Sequence, residues 1–232
     1  MNARSQILCA WCGILCPLVM FIGLWPAAGF FPPHLPSASA DEIAAIYQRD
    51  ATGIRIGMIA ILIAGALYAP FTAAIAAQMR RVEHQRTPVL TYTQLAAGIA
   101  SILLFIVPAM IWTAAAFRPE RNPEITQALN DLGWLFFVMP FVLGFTQNLA
   151  LGFTIIGDKR PKPVFPRWLG YFNFWIALLF VPGCMVTFFK DGPFAWNGLL
   201  AFWLPATVFG PWFFVVSIFV MKAAKQQALD GE

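Results

Sequence analysis

Apolar residues along this chain fall in six long blocks separated by short polar segments. A membrane-spanning helix requires about 20 mostly apolar residues, and each block reaches that length. No Asp, Glu, Lys, Arg or His lies inside any block. The pattern therefore predicts an all-α bundle of six transmembrane helices, at 7–30, 56–77, 95–117, 132–156, 168–189 and 196–221.

The composition agrees with this pattern. Hydrophobic residues make up 59% of the 232 residues and charged residues 11%, whereas a soluble domain is about 25% charged. The apolar run of the first block exceeds the roughly 7–15 residues of a signal-peptide core, so we expect a retained first helix. The whole chain, 1–232, is predicted to form a single transmembrane domain.

The charges between the blocks predict an orientation. With the amino terminus inside, the inner segments hold ten basic and four acidic residues, and the outer segments hold five basic and seven acidic residues. Basic residues concentrate on the cytoplasmic side of membrane proteins. Both termini are therefore expected in the cytoplasm of a multi-pass cell-membrane protein, most simply of a bacterial inner membrane. Cysteines at 9, 12, 16 and 184 lie within apolar blocks and are interpreted as small apolar residues.

Two outer segments carry helix signals of their own. Ser39 and Glu42 have the spacing of a capping box. Asn122, Pro123 and Glu124 form a second helix start, with proline at the first helical position. We expect two short amphipathic helices, which either cap the outer end of the bundle or lie at the interface.

Prolines at a similar depth suggest a cavity. Pro26, Pro108, Pro140, Pro182 and Pro205 all fall in the expected outer half of the membrane, where kinks would splay the helices. The alternative is that these kinks serve packing alone. The predicted ligand-binding residues are Tyr68, Trp112, Trp134, Gln147, Asn148 and Trp203. The tryptophans also suit an interfacial belt, and the amides suit hydrogen bonds between helices.

Ionisable residues concentrate in the outer segments. Asp131, Glu120 and Glu124 are the candidate acids or bases, and Arg118 and Arg55 the candidate charge-stabilising groups. The alternative is that all five are solvated anchors at helix ends.

Metal and cofactor sites are not expected. His34 and His84, the two histidines of the sequence, are predicted on opposite sides of the membrane. That placement argues against a bis-histidine haem or a multi-histidine metal site within one subunit. No glycine-rich phosphate-binding loop is present in the sequence. We therefore predict neither a metal nor a cofactor.

These observations favour a protein that binds a hydrophobic or amphiphilic molecule, of lipid, terpenoid or sterol-like size, in an outer-leaflet aromatic cavity. An enzymatic form would be a non-redox membrane enzyme. The alternatives are a non-catalytic subunit or assembly factor of a larger membrane complex, or a small transporter. The expected partners are a membrane lipid or hydrophobic small molecule and, in the alternative, a membrane protein or a second copy; the dispersed basic residues argue against nucleic acid.

Overall fold

A computed structural model describes residues 3–83 and 87–230. These residues form helices and no strand. Six helical segments within them are long and apolar enough to cross a membrane, which confirms the predicted bundle. The segments are Ala3–Ala27, Ala51–Val82, Val89–Phe117, Pro123–Gly157, Arg167–Thr187 and Leu199–Leu229. His84 was predicted on the opposite side of the membrane from His34, and Arg86 is one of the ten basic residues predicted inside. Both lie outside the described residues.

Most spanning segments are not single regular helices. The helices are α1 (Ala3–Ile22), α2 (Ala40–Arg49), α3 (Ala51–Val82), α4 (Val89–Ala100), α5 (Leu103–Phe117), α6 (Pro123–Val138), α7 (Phe141–Gly157), α8 (Arg167–Phe180) and α9 (Leu204–Leu229). A π-helical turn, Gly23–Ala27, continues α1, and a second, Leu199–Trp203, precedes α9. A 3₁₀ segment, Val181–Thr187, continues α8.

Prolines coincide with several of these irregularities. Pro26 lies in the first π-helical turn, Pro140 separates α6 from α7, and Pro182 lies in the 3₁₀ segment. Pro205 is the second residue of α9, just after the second π-helical turn, and Pro108 lies inside α5. A proline lacks the backbone N–H that the helix needs, and its ring clashes with the preceding turn. Four of the five prolines therefore indicate where regular helix is interrupted within a span, whereas α5 continues through Pro108.

The two outer segments behave differently from each other. In the first, the Ser39 side chain accepts from the backbone N–H of Glu42, and the Glu42 carboxylate accepts from the backbone N–H of Ser39, so the capping box of α2 is confirmed. In the second, α6 starts at Pro123 as predicted but continues without a break to Val138. The second amphipathic stretch is thus the first part of the fourth span. The reason is that nothing between Pro123 and Pro140 interrupts the helical hydrogen bonds.

One end of the bundle is covered by the segments 28–50, 118–122 and 188–198, and we call it the capped end. Nε1 of Trp196 donates to the backbone oxygen of His34 at 2.8 Å, and Nε2 of Gln127 donates to that of Ala38 at 2.8 Å. At the opposite end, Gln6, Gln78 and Gln227 hydrogen-bond to one another and join α1, α3 and α9. All four cysteines, which fall within the described residues, are free thiols.

Candidate ligand-binding cavity

A cavity of about 440 Å³ lies inside the bundle, in the half that is nearer the capped end. Volumes of roughly 300–1,000 Å³ are typical of small-molecule sites. No charged side chain is among the described residues that line it. Phenylalanines from five different parts of the chain supply much of its wall: Phe31, Phe105, Phe141, Phe180 and Phe209.

The cavity borders the places where regular helix is interrupted. Pro140, Gly183 and Pro205 all line it, and each lies in or beside an irregular segment. Irregular backbone inside a membrane protein is tolerated where it is buried in protein or lines a cavity. Pro26, Pro108 and Pro182 do not line the cavity, so the predicted relation between prolines and cavity holds only for Pro140 and Pro205.

The cavity opens sideways, toward the region that lipid chains occupy around a membrane protein. Leu18 and Phe21 of α1 line it and are 45% and 39% exposed on the bundle surface. Ala206 and Thr207 of α9 also line it and are exposed. All four residues belong to membrane-spanning segments. The cavity wall therefore includes residues that are exposed within the membrane-spanning segments.

Aromatic rings close the cavity toward the capped end. Phe31 follows the first π-helical turn, and its ring lies 5.2 Å from that of Phe21 and 5.1 Å from that of Trp203, centroid to centroid. Both contacts are edge-to-face, an arrangement that aromatic pairs favour. Nε1 of Trp203 donates to the backbone oxygen of Asn197 at 3.1 Å, so this tryptophan keeps its polar edge out of the cavity.

The deep end of the cavity is polar, and we call it the polar floor: Tyr68, Ser101, Gln147 and Asn148. The Tyr68 hydroxyl on α3 donates to Oε1 of Gln147 on α7. Nε2 of Gln147 then donates to Oγ1 of Thr72 at 3.1 Å. These bonds fix the orientation of the Gln147 amide and join two spans across the cavity.

Two further groups complete the polar floor. Oγ of Ser101 donates to the backbone oxygen of Ala97 at 2.8 Å. Nδ2 of Asn148 donates to the backbone oxygen of Gly144 at 2.8 Å. Oδ1 of Asn148 is buried and has no hydrogen-bond partner among the described residues. Buried polar atoms without a partner are rare in native structures, and this one belongs to a residue that lines the cavity.

The structure divides the six predicted ligand-binding residues into two groups. Tyr68, Gln147, Asn148 and Trp203 line the cavity. Trp112 and Trp134 are fully buried elsewhere, near the capped end, where they lie 5.1 and 6.0 Å from the ring of Phe30. They are neither cavity wall nor an exposed interfacial belt. Whether a residue lines the cavity depends on which face of its helix turns inward. The sequence indicates how deep a residue lies along its span, but not which way it faces.

Sequence reasoning missed Thr72 and Ser101. Both are hydroxyl residues inside predicted spans. A polar side chain inside an apolar block is also the feature that identified Tyr68 and Gln147. Ser101 also marks the break between α4 and α5, which the uninterrupted apolar block did not indicate.

A second polar cluster lies buried beneath the capped end. Nδ1 of His34 donates to Oδ1 of Asn130 at 2.8 Å, and the Tyr47 hydroxyl donates to the same oxygen at 3.3 Å. An amide oxygen can only accept, so the proton of neutral His34 is on Nδ1. Nε1 of Trp112 donates to the backbone oxygen of Asn130 at 3.3 Å. This cluster fastens the segment after α1 and the helix α2 to α6.

Burial controls the ionisation of this cluster. It lowers the pKa of His34 below its ordinary value, the hydrogen bond to Asn130 opposes that shift, and the positive charge of Arg49 adds to it. Burial also raises the pKa of Tyr47 well above its ordinary value, and the negative charge of Asp131 acts in the same direction. Both groups are therefore neutral near pH 7.

The five predicted catalytic residues do not meet at the cavity. Asp131 is half-buried beside the histidine cluster, where its Oδ1 accepts from Nδ2 of Asn130 at 3.2 Å. Glu120, Glu124 and Arg118 are exposed. The guanidinium of Arg55 donates to Ala51 and Thr52 in the first turn of its own helix. None of the five lines the cavity, so the catalytic role stays a prediction.

Among the described residues, no group of three or more His, Cys, Asp or Glu side chains could hold a metal ion. Comparisons with protein-family models, curated proteins and solved structures return no match.

Proposed function

We propose that this membrane protein binds a hydrophobic or amphiphilic molecule, of lipid, terpenoid or sterol-like size, in the cavity between α1, α5, α7 and α9. The observation that carries the proposal is an uncharged, aromatic cavity that opens sideways through a membrane-spanning surface and ends on a polar floor. An apolar body would lie among the phenylalanines, and a polar end would meet Tyr68, Gln147 and Asn148. With the predicted cytoplasmic termini, the opening faces the outer leaflet.

The proposal concerns binding rather than catalysis. The cavity wall offers no carboxylate, histidine or cysteine that could act as a general base or nucleophile among its described residues. Asp131, the strongest of the predicted catalytic residues, lies in the histidine cluster at the capped end. A binding, carrier or sensing role needs only the cavity and its opening.

Occupancy of the cavity can be tested by filling it with a side chain. Gly210 lines the cavity, and a Cβ placed there meets no atom within 4 Å. Gly210→Phe should therefore occupy the space that a ligand would use while leaving the helices in place. Gly157→Phe is the matched control, because that glycine has equal space, is exposed and does not line the cavity.

Wild type and both variants would be purified in a gentle detergent and examined by mass spectrometry for bound small molecules and polypeptides. The expected result is a hydrophobic molecule in roughly equal molar amount with wild type and Gly157→Phe, and its loss from folded Gly210→Phe. If wild type arrives without a small molecule but with a stoichiometric membrane protein, the binding proposal is wrong. That result would favour the subunit or assembly-factor alternative.

A further inference from the structure

The polar floor of the cavity presents hydrogen-bond acceptors to a ligand. Oδ1 of Asn148 has no partner, although Asn148 is only 1% exposed. The hydroxyl protons of Tyr68 and Ser101 are both donated to protein oxygens, Oε1 of Gln147 and the backbone oxygen of Ala97. The oxygen atoms of these two hydroxyls retain lone pairs. Among the oxygens of the polar floor, Oδ1 of Asn148 is thus the one that has no partner within the described residues.

A buried acceptor without a partner costs roughly 1–3 kcal/mol. The two hydroxyls of the polar floor do not satisfy Oδ1 of Asn148, because Tyr68 donates to Oε1 of Gln147 and Ser101 donates to the backbone oxygen of Ala97. The missing group is therefore a donor from outside the chain, placed at the deep end of the cavity.

The lack of charged side chains among the described residues of the wall restricts the chemical class of that donor. A carboxylate or phosphate would bring negative charge against acceptor oxygens, and no Lys, Arg or His of the described residues lines the cavity to neutralise it. An ammonium group would be buried without a carboxylate, since the described part of the cavity wall contains no Asp or Glu either. Burying an unpaired charge costs far more than a hydrogen bond returns. The donor must be neutral.

Building on the proposed function, we infer that the ligand is a neutral alcohol, an apolar molecule with a terminal or ring hydroxyl that donates to Oδ1 of Asn148. Its hydrocarbon body extends from the polar floor through the phenylalanine-lined part of the cavity toward the opening at Leu18 and Phe21. Ethers lack the donor proton, and ionised acids carry the wrong charge, so both classes bind more weakly than the matching alcohol.

The test uses three probes with one hydrocarbon body: farnesol, farnesyl methyl ether and farnesoic acid. Binding of each to the full-length protein would be measured by native mass spectrometry from detergent at about pH 8, where a free carboxyl group is ionised. Wild type should bind farnesol about fivefold to tenfold more tightly than the ether, which is the worth of one buried neutral hydrogen bond. The acid should bind more weakly still.

Two variants test whether the preference for the alcohol over the ether depends on Oδ1 of Asn148. Asn148→Leu keeps the shape of the side chain and removes the acceptor, so farnesol and its ether should bind alike. Ser217→Ala is the matched control: Oγ of Ser217 is also buried without a partner, but the residue does not line the cavity, and this variant should keep the preference for alcohol.

Equal binding of all three probes by wild type, or an alcohol preference that survives Asn148→Leu, would overturn this inference and leave the proposed function in place. Preference for the acid would also overturn it. Absence of binding by all three probes would overturn the inference together with the cavity's proposed role.

Discussion

Nδ1 of His34 donates a 2.8 Å hydrogen bond to Oδ1 of Asn130, although 96 positions separate the two residues in sequence. The bond ties the segment after α1 to the first half of α6, and Nε2 of the same ring is buried with no partner among the described residues. A proton added at Nε2 would find no acceptor. The capped end is therefore built around a neutral histidine.

Stability should fall in mildly acidic solution because of this histidine. An unfolded histidine has a pKa of about 6.5, and burial lowers the pKa of His34 in the folded protein. Between these two values the unfolded chain binds more protons, so the free energy of unfolding decreases as the pH falls from about 6.5 toward the folded pKa. Thermal unfolding of the detergent-solubilised protein from about pH 7.5 to about pH 5.5 measures the effect.

His34→Asn is the variant that isolates this effect. An asparagine amide places a donor nitrogen close to the position of Nδ1 and does not titrate. The variant should keep most of the stability near pH 7.5 and lose the decline that begins near pH 6.5. An unchanged decline would show that another group, such as the half-buried carboxyl of Asp131, causes it.

Gln78→Leu should loosen the end of the bundle opposite the cap. Nε2 of Gln78 donates to the side-chain oxygens of Gln6 and Gln227, and Arg81 donates to Oε1 of Gln78 at 2.8 Å. Hydrogen bonds between membrane helices contribute about 1 kcal/mol each. The expected loss in the free energy of unfolding is about 1–2 kcal/mol. The exposed neighbour Gln226 is the control, and Gln226→Leu should change stability by less than about 0.5 kcal/mol.

Trp212 and Asn173 should show coupled effects. Nε1 of Trp212 on α9 donates to Oδ1 of Asn173 on α8 at 2.9 Å, and both residues are buried. Trp212→Phe leaves that oxygen unpaired, so we expect a loss of about 1–2 kcal/mol. Adding Asn173→Leu removes the unpaired oxygen and should recover part of the loss. A double-mutant cycle on the free energy of unfolding measures the coupling, and strictly additive losses would contradict the prediction.

Gly98→Ala should disturb the cavity through its polar network. A Cβ at Gly98 would contact Oγ1 of Thr72 and would lie 2.7 Å from Nε2 of Gln147. Although alanine is the better helix former by about 1 kcal/mol, the overlap should lower stability by about 1–3 kcal/mol and weaken ligand binding. Gly210→Ala is the control, because its Cβ meets nothing within 4 Å, and it should be neutral or stabilising. Equal effects at the two glycines would argue against close packing at Gly98.

Local features of the sequence were sufficient to predict much of the architecture. The six spans follow from block length, the start of α2 follows from Ser39 and Glu42, and the start of α6 follows from Pro123. Each depends on residues within one or two helical turns, where the hydrogen bonding of the backbone is decided locally. Kinks were predicted at Pro26, Pro140, Pro182 and Pro205, where regular helix is interrupted, and at Pro108, where α5 is continuous. The break at Ser101, which no proline marks, was missed.

The membrane helix bundle follows from the sequence alone, because long uncharged blocks can satisfy their backbone within lipid only as helices. The sequence also singled out Tyr68, Gln147 and Asn148 as polar groups inside those helices. The sequence does not show that these three residues line one cavity while Trp112 and Trp134 lie apart from it. That outcome depends on the rotation of each helix about its axis and on contacts between distant residues, such as the 79 positions between Tyr68 and Gln147. Side-chain packing across the whole bundle determines both the rotation of the helices and these long-range contacts.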